Sequence, residues 1–280
     1  MTFKTLLVHL DHSARCPVRS VVAALWSRAH ESHLIGLLPT GLYDGVIPAA
    51  AIPAGMPEHI AASAAYLRRR AKSIARNFRE DVAGAGARSY EVRVVDDVTA
   101  DAVVHYGRAS DLLVLGQSDA AEGLDTTVHG LPEQALMNAG RPVLVVPSAG
   151  TFDVIPKSIV VAWDGSRASA VALRAALPAL QLAAGVTLLS MQHPGDGNAA
   201  QQIMAPDMVE YLRRHGVQSR AESLVTGIDL AQALLSRLSD LSADLLVMGG
   251  YGHSRLRERV LGGVTRQILV QMTVPVLIAH

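Results

Sequence analysis

The strongest constraint on this chain is that it carries the same series of segments twice. FKTLLVHLDHSARCPVRSVVAAL (3–25) lines up with PKSIVVAWDGSRASAVALRAAL (156–177), so that Lys4 matches Lys157, Asp11 matches Asp164 and Ser13 matches Ser166. SDLLVLGQSD (110–119) lines up with ADLLVMGGYG (243–252), and RPVLVVP (141–147) with VPVLIAH (274–280). A period of about 140 residues, with its parts in unchanged order, implies two copies of one unit. The short Gly/Pro link SAGTFDVIP (148–156) divides them into 1–150 and 151–280. The 280-residue length agrees with two domains.

Each copy alternates apolar runs with helical patterns. In the second copy the strands are expected at 158–164, 185–192, 220–226, 244–249 and 275–280. Their apolar residues are continuous rather than alternating, as in strands covered on both faces. Leu230, Leu234, Leu238 and Leu241 recur at helical spacing between strands, as do Ile60, Leu67, Ala71, Ile74, Phe78 and Val82 in the first copy. Strand and helix in alternation, with right-handed crossovers, give an α/β fold: two tandem doubly wound, Rossmann-like domains. Each is expected to be a five-stranded parallel sheet with helices on both faces. The stretch at 41–57 has no counterpart in the second copy and reads as a long Pro/Gly loop before a helix at 58–83.

Composition narrows the function. Half the residues are hydrophobic but only 4% are aromatic, so the core is aliphatic. Acidic and basic residues balance at 25 each, which provides no bulk attraction for nucleic acid or anionic lipid. One cysteine, Cys16, excludes an intrachain disulfide, and with no His-x3-His or Cys-x2-Cys pair a metal site is not expected. The N-terminus does not read as a signal peptide, and no apolar run is long enough for a membrane helix. A cytoplasmic protein is the expectation. A G-x-S-x-G elbow and a G-x4-GK[ST] loop are both absent, which removes the parts of a serine hydrolase or a Walker-type ATPase.

The informative motif is MGGYGHSRLRERVLGGVTR (248–266). Gly249, Gly250 and Gly252 stand at the carboxyl end of an expected strand, where open α/β sheets bind ligands. Glycine lets a ligand approach the backbone amides. Gly262 and Gly263 then open a helix, whose N-terminus attracts phosphate through unpaired N–H groups. Arg255, Arg257 and Arg259 lie between the two glycine turns. In the first copy Gln117, Ser118 and Asp119 replace the glycines, and His129 and Gly130 align with Gly262 and Gly263. A carboxylate at Asp119 opposes phosphate, so that copy reads as degenerate. Asp11 and Ser13 are expected to cap the helix that follows.

The spacing Gly-x2-Gly-x9-Gly after the fourth strand resembles the ATP-binding signature of the universal stress protein family. AWDGSRAS (162–169) is similar to the family's first strand end and PVLIA to its last strand. The resemblance covers both copies and implies a tandem universal stress protein. It implies that Asp164 faces the adenosine ribose and that Met191 presents backbone to the adenine edge. It also implies that Gly249 and Gly252 pass close to the phosphates, and that Gly262, Gly263 and Val264 offer amides at the helix start. Gly263 departs from the family's usual Ser or Thr, and Thr265 or Ser254 could supply the missing hydroxyl. His253 reads either as a phosphate contact or as a solvated loop residue. The implied cofactor is ATP, with Mg2+. The implied role is a nucleotide-dependent stress-response regulator, non-catalytic or slowly hydrolysing, with unidentified protein partners. The alternative is a stress-response interaction scaffold that no longer binds ATP. The resemblance further implies that RPVLVVP and PVLIAH pair into an intrachain pseudo-dimer, with a homodimer of chains left open.

Overall fold

The computed structural model describes residues 2–42, 44, 57–118, 130–195, 199–250 and 263–280, with backbone alone over 57–62 and 199–204. In chain order the first half holds β1 (Thr5–His9), α1 (Cys16–His30), β2 (His33–Pro39), α2 (Pro57–Gly84) and β3 (Tyr90–Val95). It continues with α3 (Thr99–Gly107), β4 (Leu112–Gly116), α4 (Leu131–Asn138) and β5 (Val143–Val146). The second half repeats the order with β6 (Ser158–Ala162), α5 (Arg167–Leu180), β7 (Gly185–Gln192), α6 (Ala199–Arg214) and β8 (Ser219–Val225). It ends with α7 (Leu230–Asp240), β9 (Leu245–Gly249), α8 (Gly263–Gln271) and β10 (Val276–Ala279).

All ten strands join one sheet in the order β3-β2-β1-β4-β5-β10-β9-β6-β7-β8. Within each half every neighbour is parallel. The halves meet where β5 and β10 pair antiparallel, with Val145 opposite Val276 and Val143 opposite Ile278. That junction covers two edges that would otherwise expose unpaired N–H and C=O groups.

Both faces of the sheet are covered. Leu6, Val8, Ile159 and Val161 pack on one face with Trp26, Phe78, Leu173 and Leu177 from the helices. Leu7, Val160, Leu246 and Ile278 pack on the other with Val103, Leu136, Leu234 and Ile268. Burial on both sides explains why these strands read as uninterrupted apolar runs.

Two aspartates at equivalent places lock each half together. Asp111, just before β4, accepts hydrogen bonds through Oδ2 from the backbone N–H of Lys4 (2.6 Å) and Thr5 (3.0 Å). Asp244, just before β9, accepts from Lys157 and Ser158 at 2.9 Å each. Each carboxylate satisfies the first amides of its half's first strand. No helix among the described residues is long and apolar enough to cross a membrane.

Candidate functional site

In the second half the strand order reverses between β6 and β9. The chain runs outward through β7 and β8, then returns to place β9 and β10 on the other flank of β6. A reversal of this kind opens a crevice at the carboxyl ends of the two strands. Asp164 follows β6, Met191 lies in the last turn of residues of β7, and Gly249 ends β9, so these three stand at one rim of the sheet.

Local chemistry shapes that rim. Asp164 Oδ1 accepts from the N–H of Ser166 at 2.9 Å, which tightens the turn through Gly165. Ser166 caps α5, its Oγ accepting from the N–H of Ser169 at 3.1 Å. The first turn of α5 is thereby driven down onto β9. A Cβ added at Gly249 would lie 2.5 Å from Ser169 N and 2.6 Å from the carbonyl carbon of Ala168. The glycine therefore has a packing reason that motif reasoning missed: helix backbone, rather than ligand alone, demands its missing side chain.

Gly263 is the opposite case. It begins α8 and is exposed, and nothing among the described residues lies within 4 Å of where its Cβ would be. Val264 is partly buried and Thr265 is 5% exposed, on the inward stripe of α8 with Ile268 and Leu269. The Thr265 hydroxyl thus belongs to the inward side of the helix, away from the exposed Gly263. Trp163 Nε1 and Ser190 Oγ, beside Asp164 and Met191 in sequence, are buried with no hydrogen-bond partner among the described residues. Gly252, His253, Ser254 and Gly262, and Arg255, Arg257 and Arg259, lie outside the described residues.

The first half has the same reversal, between β1 and β4, but its crevice is filled. Arg19 reaches back from α1, 3% exposed, and its Nε donates to the carbonyl of His9 at 2.7 Å. Its Nη2 pairs with Asp11 Oδ2 at 2.8 Å. Its Nη1 is the nearest atom to where a Cβ of Gly116, the last residue of β4, would stand. Eight residues after Asp11 the chain has Arg19, whereas eight residues after Asp164 it has Ala172. A guanidinium therefore occupies in one half the space that α5 backbone approaches in the other.

The expectation that Asp11 and Ser13 cap the next helix needs correction. The residue before α1 is Arg15, which makes no side-chain cap, and Asp11 Oδ1 instead accepts from the N–H and Oγ of Ser13. The cation of Arg19 draws the carboxylate inward. Burial alone would raise the Asp11 pKa, but Arg19, His9 and the Ser13 hydrogen bonds outweigh it and hold the carboxyl well below its usual range. Burial pushes the His9 imidazole down to about 4, against the pull of Asp11. It pushes the Cys16 thiol up, as befits a packed side chain rather than a nucleophile. Asp119 and His129 lie outside the described residues; Gly130 precedes α4 with φ 76°.

Sequence reasoning also missed Gln117. Its side chain donates to the carbonyls of Leu269 and Val270 in α8, at 3.0 and 2.8 Å, so the first half grips the second. The only sequence signal for it is its place in the repeat, where the second copy has Gly250.

Comparison with known proteins agrees with this architecture. A universal stress protein of Synechocystis is 29% identical over 175 residues, 60% of this chain and 57% of that protein. The chain thus spans 57% of the length of that curated relative. The crystal structure of a universal stress protein from Archaeoglobus fulgidus superposes with a TM-score of 0.73 at 14% identity, covering 98% of this chain and 95% of that one. A functionally unknown protein from Pseudomonas aeruginosa superposes at 0.58 and 14% identity, covering 99% and 92%. At such identities the superpositions establish the fold, and they do so over both halves. Residues 156–280 match the universal stress protein family.

Proposed function

We propose that the second half binds one ATP, with Mg2+, in the crevice between β6 and β9, and that the chain acts as a nucleotide-dependent stress-response regulator. The observation that carries this reading is the contrast between the halves. Both have a topological switch point, but Arg19 fills the first while Gly263 at the start of α8 is exposed beside the second. In this reading Asp164 holds the ribose and the backbone at Met191 meets the adenine edge. The amides at Gly249, Gly252, Gly262, Gly263 and Val264 surround the phosphates. His253 flanks them, while Thr265 stays on the inward side of α8.

The residues fit that ligand. An exposed helix N-terminus without a Cβ suits an anionic oxygen, and a carboxylate at Asp164 suits a ribose hydroxyl donor. Mg2+ would neutralise the phosphates; the binding, orientation and enclosure come from this chain. No positioned base and acceptor site accompanies the crevice among the described residues, so turnover is slow or absent. We assign residues 1–150 as the degenerate copy and 151–280 as the nucleotide-binding one.

Gently purified protein, denatured and resolved by HPLC and mass spectrometry, should release about one ATP per chain. Two per chain would mean that the first crevice also binds. None, even after adding millimolar Mg-ATP, would overturn the reading in favour of an interaction scaffold.

A further inference from the structure

We propose that Gln117, in the half that does not bind nucleotide, positions α8 and so sets the phosphate affinity of the other half; this rests on the nucleotide reading above. Gln117 is the residue after β4, and its N–H extends the ladder to Val146 at 2.8 Å. Both N–H donors of its side-chain amide and its oxygen are engaged. Nε2 donates to Leu269 O and Val270 O, and Oε1 accepts from the N–H of Ser148 at 2.8 Å. One side chain thereby ties the end of β4, the residue after Pro147 and the far end of α8.

The choice of carbonyls is what gives this tie its force. A helix leaves its last four C=O groups without intrahelical donors. Leu269 and Val270 lie in the last turn of α8, which ends at Gln271 and has no basic residue in that turn to answer its carbonyls. Gln117 supplies both missing donors from outside the helix. α8 has nine residues, a rigid rod about 13 Å long. Holding its carboxyl end fixes the direction in which Gly263, Val264 and their amides point at its other end.

The second half does not return the same contact. Gly250 holds the equivalent ladder position, its N–H donating to Ala279 O at 2.9 Å. A Cβ there would come 2.8 Å from Leu136 Cδ2 on α4 and 3.3 Å from Ile278 Cδ1. So α4 packs over a bare glycine, whereas α8 is gripped by an amide. The residue that breaks the glycine motif in the first half is therefore the one that anchors the helix carrying the motif in the second.

The test uses the full chain with Mg-ATP titrated calorimetrically and amide hydrogen exchange followed in α8. Gln117→Ala removes both donors. It should weaken Mg-ATP roughly tenfold and speed exchange across 263–271, while α4 keeps its wild-type rates. Gln117→Glu should be weaker still at neutral pH, because a carboxylate then faces two carbonyls. Relative to wild type at each pH, it should regain affinity as acid protonates the carboxyl and restores one donor; the Ala variant should not. If the Ala variant fails to fold, Gln117→Asn, whose amide falls one methylene short, gives the same readouts. Unchanged exchange in α8, or unchanged Mg-ATP affinity with a loosened α8, overturns the proposal. If wild-type protein binds no Mg-ATP, the nucleotide reading fails, and the exchange rates alone decide whether Gln117 holds α8.

Discussion

Gly249→Ala separates two reasons for a glycine at the end of β9. If only a ligand needs the bare backbone, the free protein should tolerate a methyl group. Packing says otherwise. The new Cβ would stand 2.5 Å from Ser169 N, 2.6 Å from Ala168 C and 2.9 Å from Ala168 Cβ. Carbon atoms pack favourably at about 3.5–4.0 Å, so α5 must withdraw by about 1 Å. The first two of those atoms are backbone and cannot rotate aside. Overpacking of this kind costs about 1–3 kcal/mol. Against it stands the intrinsic advantage of Ala over Gly in a strand, about 0.5–1 kcal/mol; Gly249 is not among the positive-φ glycines, so that advantage applies in full. The balance centres on a net loss of about 1 kcal/mol and reaches about 2.5 kcal/mol at most. Guanidinium denaturation of the ligand-free protein should show a lower midpoint at unchanged slope. Gly263→Ala is the control: with nothing among the described residues within 4 Å of its Cβ, it should hold or raise the midpoint. A Gly249→Ala midpoint at or above wild type would refute the packing argument and return the glycine to the ligand alone.

Further predictions bear on the rest of the molecule. Gly263→Ser should tighten Mg-ATP by about tenfold or more, since a hydrogen bond to a charged group contributes about 1.5–3 kcal/mol; equal or looser binding in the same titration would remove Gly263 from the phosphate site. Asp244→Ala strands two strand amides that now bond at 2.9 Å, and denaturation should show a loss of about 1–3 kcal/mol. Arg19→Met leaves the Asp11 carboxylate without its cation; because Asp11 is 29% exposed, the loss should sit near the low end of the buried-pair range, about 3 kcal/mol. His9 titrates at about 4 when folded against an ordinary 6.5. Its unfolded form therefore takes up a proton that the folded form refuses. Stability should fall as pH drops from about 6.5 to about 4, by about 3 kcal/mol in full. His9→Leu should flatten that part of the profile, leaving the share of His30, which burial also pushes down to about 4.

Much of the fold was legible in one dimension because burial on both faces leaves a plain trace. IVVA, LLVMG and VLIA have no polar residue on either side of the pleat, and their repetition in order carries both the strand count and the shared end-strand pattern. The crevice was legible for the same reason, since its position follows from strand order. What stayed hidden depends on side chains meeting across long stretches of chain. Asp111 and Asp244 recur in the aligned SDLL and ADLL segments, but their partners lie 107 and 86 residues away. Arg19 sits in an apolar helical pattern that gives no hint of a guanidinium folding under Gly116. Local rules also misjudged Asp11, because a cation in the next helix competed successfully with the cap. Gly249 was noticed for its phosphate motif, and its contact with α5 was invisible until the helix was placed.

The antiparallel seam between β5 and β10 has a consequence for traffic around the molecule. Every strand of one half points up when every strand of the other points down, so the Arg19-filled mouth of the first half lies at the opposite end of the sheet from the mouth beside Asp164. Anything docked at one mouth leaves the other clear. A partner that covers the Arg19-filled end would therefore leave the Asp164 end unobstructed, across a floor of continuous hydrogen bonds.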